Sequence, residues 1–262
     1  MSENMLLGSD IRDNVLTVTL YNDPATGYIG VDFISNLHKV IQAVYDNKDI
    51  KGVIIVGDGD QIFSKGLDPA DLALLNELNG RKFSEQGQEL CYLIENCHKP
   101  IIAAINGEVM NAGFEIAMAC HIRIASENAR FSLSGASIGI IPSFGGTQRF
   151  PHIVGKPKAL ELMMTADTIS SFYAKELGLV NHVVNYREAL LKKSGEILKK
   201  IFSNSALSVG MLVDCVNAAY NINEAGYQTE ANSFAHCCSN EEFKRRITKN
   251  DNESSSSILS YE

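Results

Sequence analysis

The chain has 262 residues and a formal charge of −8, with 45% hydrophobic and 21% charged residues. That length holds one large domain or a domain with an appendage, and the composition is that of an ordinary globular protein. The acidic balance excludes nucleic acid as the main partner, although a local basic patch for a phosphorylated ligand remains compatible with it.

No apolar run reaches membrane-spanning length, so no membrane partner is expected. The N-terminal stretch MSENMLLGSDIRDN lacks the basic and apolar regions of a signal peptide. Six cysteines are present, none in a CxxC pair, and Cys120 and Cys215 sit in apolar helical runs. They read as reduced core cysteines, and the expected location is cytoplasmic. Cys237 and Cys238 beside His236 offer a metal or redox pairing, but no second ligand cluster supports it. No metal or redox cofactor is therefore expected.

In chain order, residues 14–20 around VLTVTL read as a strand. Residues 31–46 are helical, because Phe33, Leu37, Val40, Ile41 and Val44 share one face. GVIIVG at 52–57 is a buried strand, and 58–70 a polar, glycine-containing loop. Residues 83–97 read as a helix stopped ahead of Pro100. The apolar run IIAAI then reads as a strand that meets Asn-Gly turn chemistry. Small residues follow, Asn111, Ala112 and Gly113, and then a helix with one acid, Glu115, amid apolar neighbours. Free N–H groups at a helix start stabilise negative charge, and an acid beside them is a candidate proton carrier. Together they make half of an enolate-stabilising site. The plainer alternative is that Glu115 only favours the helix N-terminus.

HIRIAS (121–126) and RFSL (130–133) read as two short strands; from 144 onward helices dominate, apart from VNHVV at 180–184. Strand, strand, helix recurs about four times before residue 165, which predicts an α/β fold built as a spiral of ββα turns. Three parts are expected: a core over 1–190, a helical C-terminal region over 191–249, and a serine-rich, disordered tail over 250–262. The helical faces carrying Leu190, Leu191, Ile197 and Leu198 are too apolar to stand alone.

Four segments resemble one family in the right order: IFSKGLDPADL (62–72), KPIIAAINGEVMNAGFEIAMACHIRIAS (99–126), FSLSGASIGIIPSFGGTQRFPHIVG (131–155) and LELMMTADTISSFYAKELGLVNHVV (160–184). The chain is similar to the crotonase superfamily of enoyl-CoA hydratases and isomerases from about residue 10 to about 243. The resemblance implies an acyl-CoA thioester as substrate, with coenzyme A as part of it. It also implies a homotrimer or homohexamer, the helical C-terminal region serving trimerisation.

By motif position the resemblance makes the backbone N–H groups of Leu67 and Ala112 the oxyanion hole, and Glu115 the acid/base. Leu67 would then narrow the mouth of the site or change which acyl groups fit; the plainer alternative is a core leucine capping the loop. The second glutamate of the family's hydratases falls at Gly135, which has no carboxylate, and its neighbours Ser134 and Ser137 are poor bases. One acid still supports a double-bond shift, a decarboxylation or a thioester hydrolysis. A binding protein without turnover is the non-enzymatic alternative. Asp68, Asp71 and Glu108 are substitute acids, with Asp68 also read as the cap of a helix through 70–77, and His121 as a packing histidine.

For coenzyme A the resemblance points to the loop residues Ser64, Lys65 and Gly66, and more weakly to Lys244, Arg245 and Arg246. Tyr28 stands where the family has a small residue, and Asp23 before Pro24 replaces a common basic one. A carrier-protein thioester is an alternative, although a charge of −8 disfavours an acidic carrier.

Overall fold

Alternating and fully apolar runs build two sheets, whose strands interleave along the chain. The computed structural model describes residues 7–21, 27–30, 32–221 and 223–247; the Asp23-Pro24 step and the tail at 250–262 lie outside them. The larger sheet holds β1 (Leu7–Arg12), β2 (Val15–Leu20), β3 (Gly52–Gly57), β5 (Ile101–Ile105), β7 (Ile122–Ser126) and β10 (His182–Val184), adjacent in that order. Only β1 and β2 pair antiparallel; the rest are parallel. β3 and β5 are buried along their whole length, as central strands of a covered parallel sheet must be. The smaller sheet holds β4 (Ile62–Ser64), β6 (Glu108–Met110), β8 (Arg130–Ser132) and β9 (Ile169–Ser170).

The ββα spiral is therefore literal. β3 and β4, β5 and β6, β7 and β8 each place one strand in either sheet before a helical segment follows. The helices are α1 (Asp32–Asp46), α2 (Pro69–Leu72), α3 (Glu77–Glu95), α4 (Asn111–Ala119), α5 (Gly146–Val154), α6 (Lys156–Thr165), α7 (Ser171–Glu176) and α8 (Arg187–Phe202), with a 3-10 helix at Ser134–Ile138. The core joins α1 through Phe33, Leu37 and Ile41 to Val53, Ile101 and the Phe114–Phe131–Phe150 ring cluster.

Several expectations need correction. The loop at 58–70 contains β4, and β1, β6 and β9 are strands too short or too polar to show a period. The helix expected at 83–97 begins at Glu77, behind a capping box formed by Asn76 and Asn79. Asp68 does cap, but its helix is the single turn α2.

The chain divides into two compact units, residues 1–199 and 200–262, so the boundary expected at 190 falls inside α8. The second unit contains α9 (Ala206–Ala218) and α10 (Gly226–Ser239). Cys215 is half-buried there rather than a core residue, and all six cysteines are free. Among the described residues no helix alone is long and apolar enough to cross a membrane.

Candidate active site

The two proposed donor turns meet beside the smaller sheet. Leu67 forms a parallel bridge to Ile29, in which the Ile29 N–H donates to the Gly66 carbonyl and the Asp68 N–H to the Ile29 carbonyl. Because alternate amides of an extended chain point opposite ways, the Leu67 N–H faces away from Ile29. The Leu67 side chain is buried in the core, as the core-leucine alternative expects.

Ala112 is in the first turn of α4, where the helix leaves its amides unused. Two close approaches join the turns. A side chain at Gly113 would meet the Ser64 Cβ at 2.5 Å, and one at Gly66 would meet the Ala112 nitrogen at 3.2 Å. Gly66 also has a φ of +87°, which glycine adopts without strain.

One turn along α4, Glu115 is buried at 2% exposure. Its Oε1 accepts the N–H groups of Phe144 and Gly146, both at 2.7 Å, and Oε2 accepts only a longer bond from Ser143 at 3.3 Å. Burial pushes the carboxyl pKa up, while those three amides and the Arg149 charge oppose the shift. Oε1 is saturated, so Oε2 is the oxygen with capacity for a proton.

The donating loop is itself braced. Arg149 donates from Nη1 to the Phe144 carbonyl at 2.9 Å and grips Glu95 with Nε at 3.1 Å and Nη2 at 2.8 Å. The Phe144 ring lies on the bare Cα of Gly87 in α3 and 5.3 Å from the Phe83 ring. A side chain at Gly146 would meet Glu115 Oε1 at 2.8 Å, so the carboxylate reaches this loop because that residue is glycine.

Family-model matching places residues 10–253 in the family described as enoyl-CoA hydratase/isomerase. The chain is 35% identical to the short-chain-enoyl-CoA hydratase of Clostridium acetobutylicum over 89% of its length and 90% of the relative's. It is 35% identical to the crotonyl-CoA hydratase of Syntrophomonas wolfei over 94% of each. The crystal structure of an enoyl-CoA hydratase from Bacillus anthracis superimposes with a TM-score of 0.87 at 28% identity, covering 95% of this chain and 96% of that one. The chain belongs to the enoyl-CoA hydratase/isomerase family, within the crotonase superfamily.

It is an enzyme of that family, and the residues expected at its site fall into two groups. The turn preceding Leu67 approaches the Ala112 nitrogen at Gly66, and Glu115 follows one turn further along α4. The expected coenzyme A residues are less available. Ser64 is fully buried, with its hydroxyl accepting the Gly66 N–H at 3.1 Å, which gives it a role in shaping the turn. Lys65 is half-buried and paired with Glu108 at 3.1 Å. In the second unit Lys244 pairs with Glu241 and Arg246 with Glu242, both at 2.8 Å.

Gly135 sits in the 3-10 helix without a left-handed backbone, and Ser137 donates to the Ser134 carbonyl. His121 is a packing residue: Nδ1 accepts the Ile101 N–H at 2.9 Å and Nε2 faces the Glu95 carbonyl at 3.2 Å. Burial lowers its pKa to about 4, so it is neutral.

The 143–146 amides, Arg149 and Glu95 were not singled out in the sequence. The signal available was the SFGGTQR segment, whose paired glycines permit the close approach that Glu115 exploits.

Proposed function

We propose that this enzyme acts on an acyl-CoA thioester through an enolate, with Glu115 as its sole acid/base and the Leu67 and Ala112 N–H groups as the oxyanion hole. The observation that carries the reading is the buried Glu115 carboxylate, held by three amides one helical turn beyond the Ala112 N–H. A 3-enoyl thioester gives the simplest complete cycle. Glu115 Oε2 takes the α-proton, and the electron pair moves onto the thioester oxygen. The two N–H groups stabilise that oxygen by about 3–4 kcal/mol each. The proton then returns from Oε2 to the γ-carbon, which shifts the double bond into conjugation and restores the carboxylate. A raised Glu115 pKa suits both halves of this exchange.

Hydration needs a second proton carrier, one group taking a proton from the water that attacks Cβ and the other delivering a proton to Cα, and Gly135 supplies none. The relatives named as hydratases make crotonyl-CoA the first substrate to try. With crotonyl-CoA and a 3-enoyl-CoA followed by absorbance and mass, the expected result is an efficient double-bond shift and poor hydration. Exchange of the α-protons of butyryl-CoA for deuterium should accompany it. Failure of both turnover and exchange overturns the reading in favour of an acyl-CoA-binding role.

A reducing, cytoplasmic setting fits the six free cysteines. Homotrimeric or homohexameric assembly fits the exposed Ile138, Ile140 and Ile141. Sedimentation tests that assembly.

A further inference from the structure

Four non-glycine residues among those described have positive φ, and Asn111 is the one beside the proposed oxyanion hole. Its φ of 46° lies in the left-handed region, which asparagine tolerates better than most side chains. The residue touches three parts of the site. Its backbone leads directly into the Ala112 amide. Its Cβ lies 3.1 Å from where a Gly66 side chain would begin, against the turn that carries the Leu67 N–H. Its carboxamide reaches the 3-10 helix, where Oδ1 accepts the Ser134 N–H at 2.9 Å and Nδ2 donates to Ser134 Oγ at 3.2 Å. The backbone N–H of Ser134 must face an acceptor, which fixes the orientation of the amide. Ser134 immediately precedes Gly135, the position without a carboxylate.

We propose that Asn111 is a positioning residue, whose carboxamide clamps the 3-10 helix to the oxyanion turn and so holds the aim of the Ala112 N–H. The proposal rests on the reading of Ala112 and Glu115 given above. A donor that acts on charge developing in the transition state affects kcat more than KM when its aim is lost. Asn111→Gly keeps the positive φ available and deletes both arms of the clamp. Ser134→Ala deletes only the hydroxyl arm and leaves the Ser134 N–H, but without Asn111 that arm has nothing to hold.

The test measures double-bond shift of a 3-enoyl-CoA and α-proton exchange of butyryl-CoA in wild type, Asn111→Gly, Ser134→Ala and the double variant, with Glu115→Gln alongside. The expected result is a loss in kcat of about tenfold for Asn111→Gly, with KM changed less than about twofold and melting temperature held. Ser134→Ala should lose less, and the double variant no more than Asn111→Gly alone. Wild-type kcat in Asn111→Gly overturns the clamp, as does a loss in the double variant equal to the product of the single losses. Should Asn111→Gly fail to fold, a Ser134→Ala variant with unchanged kcat overturns it instead. Full exchange in Glu115→Gln, or none in wild type, brings down the underlying reading and the clamp with it. A dead Glu115→Gln beside a fully active Asn111→Gly removes the clamp alone.

Discussion

The Glu115 region and the Gly135 region use the same kinds of bond in opposite senses. At Glu115 the side chain is ionisable and the backbone serves it: three amides of the 143–146 loop converge on one carboxylate. At Gly135 there is no side chain, and a nearby side chain serves the backbone: Asn111 holds the Ser134 N–H and hydroxyl. One region holds a buried titratable group whose pKa burial raises and the surrounding amides and Arg149 oppose. The other is arranged to stay neutral and still. The difference teaches that a segment can be held in place with no ionisable side chain of its own, because the 3-10 helix around Gly135 is tied through Ser134 to Asn111.

The largest expected break in that contrast is Glu115→Gln, which preserves shape and removes the base. Activity should fall by about 10²- to 10⁴-fold, read as double-bond shift or α-proton exchange. Stability should move the other way. A carboxyl whose pKa is raised on folding contributes fully at low pH, and that contribution is lost as pH rises through the folded value. The Gln variant should therefore gain in melting temperature relative to wild type as pH is raised from about 4 to 8. An equal difference at both ends would show that Glu115 carries no raised pKa.

Ala112→Pro deletes an oxyanion donor, and Ala112→Gly keeps it. The proline variant should lose about 10²- to 10³-fold in kcat and the glycine variant little. Circular dichroism checks that proline has not broken the turn, and a folded, fully active proline variant removes Ala112 from the site.

Gly135→Glu sharpens the comparison by asking whether the acid can be put back. The backbone there is not left-handed, but a new Cβ would stand 3.0 Å from the Ile140 carbonyl oxygen, so that segment must yield slightly. Hydration of crotonyl-CoA should rise on the order of tenfold, the lower range of a positioned acid or base being somewhat higher. No gain in a folded variant weakens the equivalence of this position with the second acid.

The smallest effect is expected from the brace. Arg149→Met removes both the charge and the fork that hold the 143–146 loop, and Arg149→Lys only the fork. The Arg149 charge lowers the Glu115 pKa, so its loss should move the acidic limb of kcat/KM to higher pH. Lysine should largely restore the limb, and coincident limbs in wild type and Arg149→Met would mean the brace is purely structural.

Much of this was written in the chain. The fully apolar runs GVIIVG and IIAAI read as buried strands, which they are, and the small residues before Glu115 marked the turn. What failed to show had a physical reason. β4, β6 and β9 span only two or three residues, too few for any period to emerge. Leu67 reads either as a residue facing the substrate or as a core leucine capping the loop, and its burial in the core decides for the second. The tie between Asn111 and Ser134 spans 23 residues and joins two elements that no local pattern relates.

The ordinary backbone at Gly135 also bears on how such a site changes over generations. Every glycine codon stands a single base from a codon for aspartate or glutamate. A position that needed left-handed geometry would penalise that step at once; this one asks only for a small shift at Ile140. The present chain is thus one base change away from carrying a carboxylate at position 135. On the one-acid reading proposed above, the backbone at this position asks for no left-handed geometry that would bar a second carboxylate.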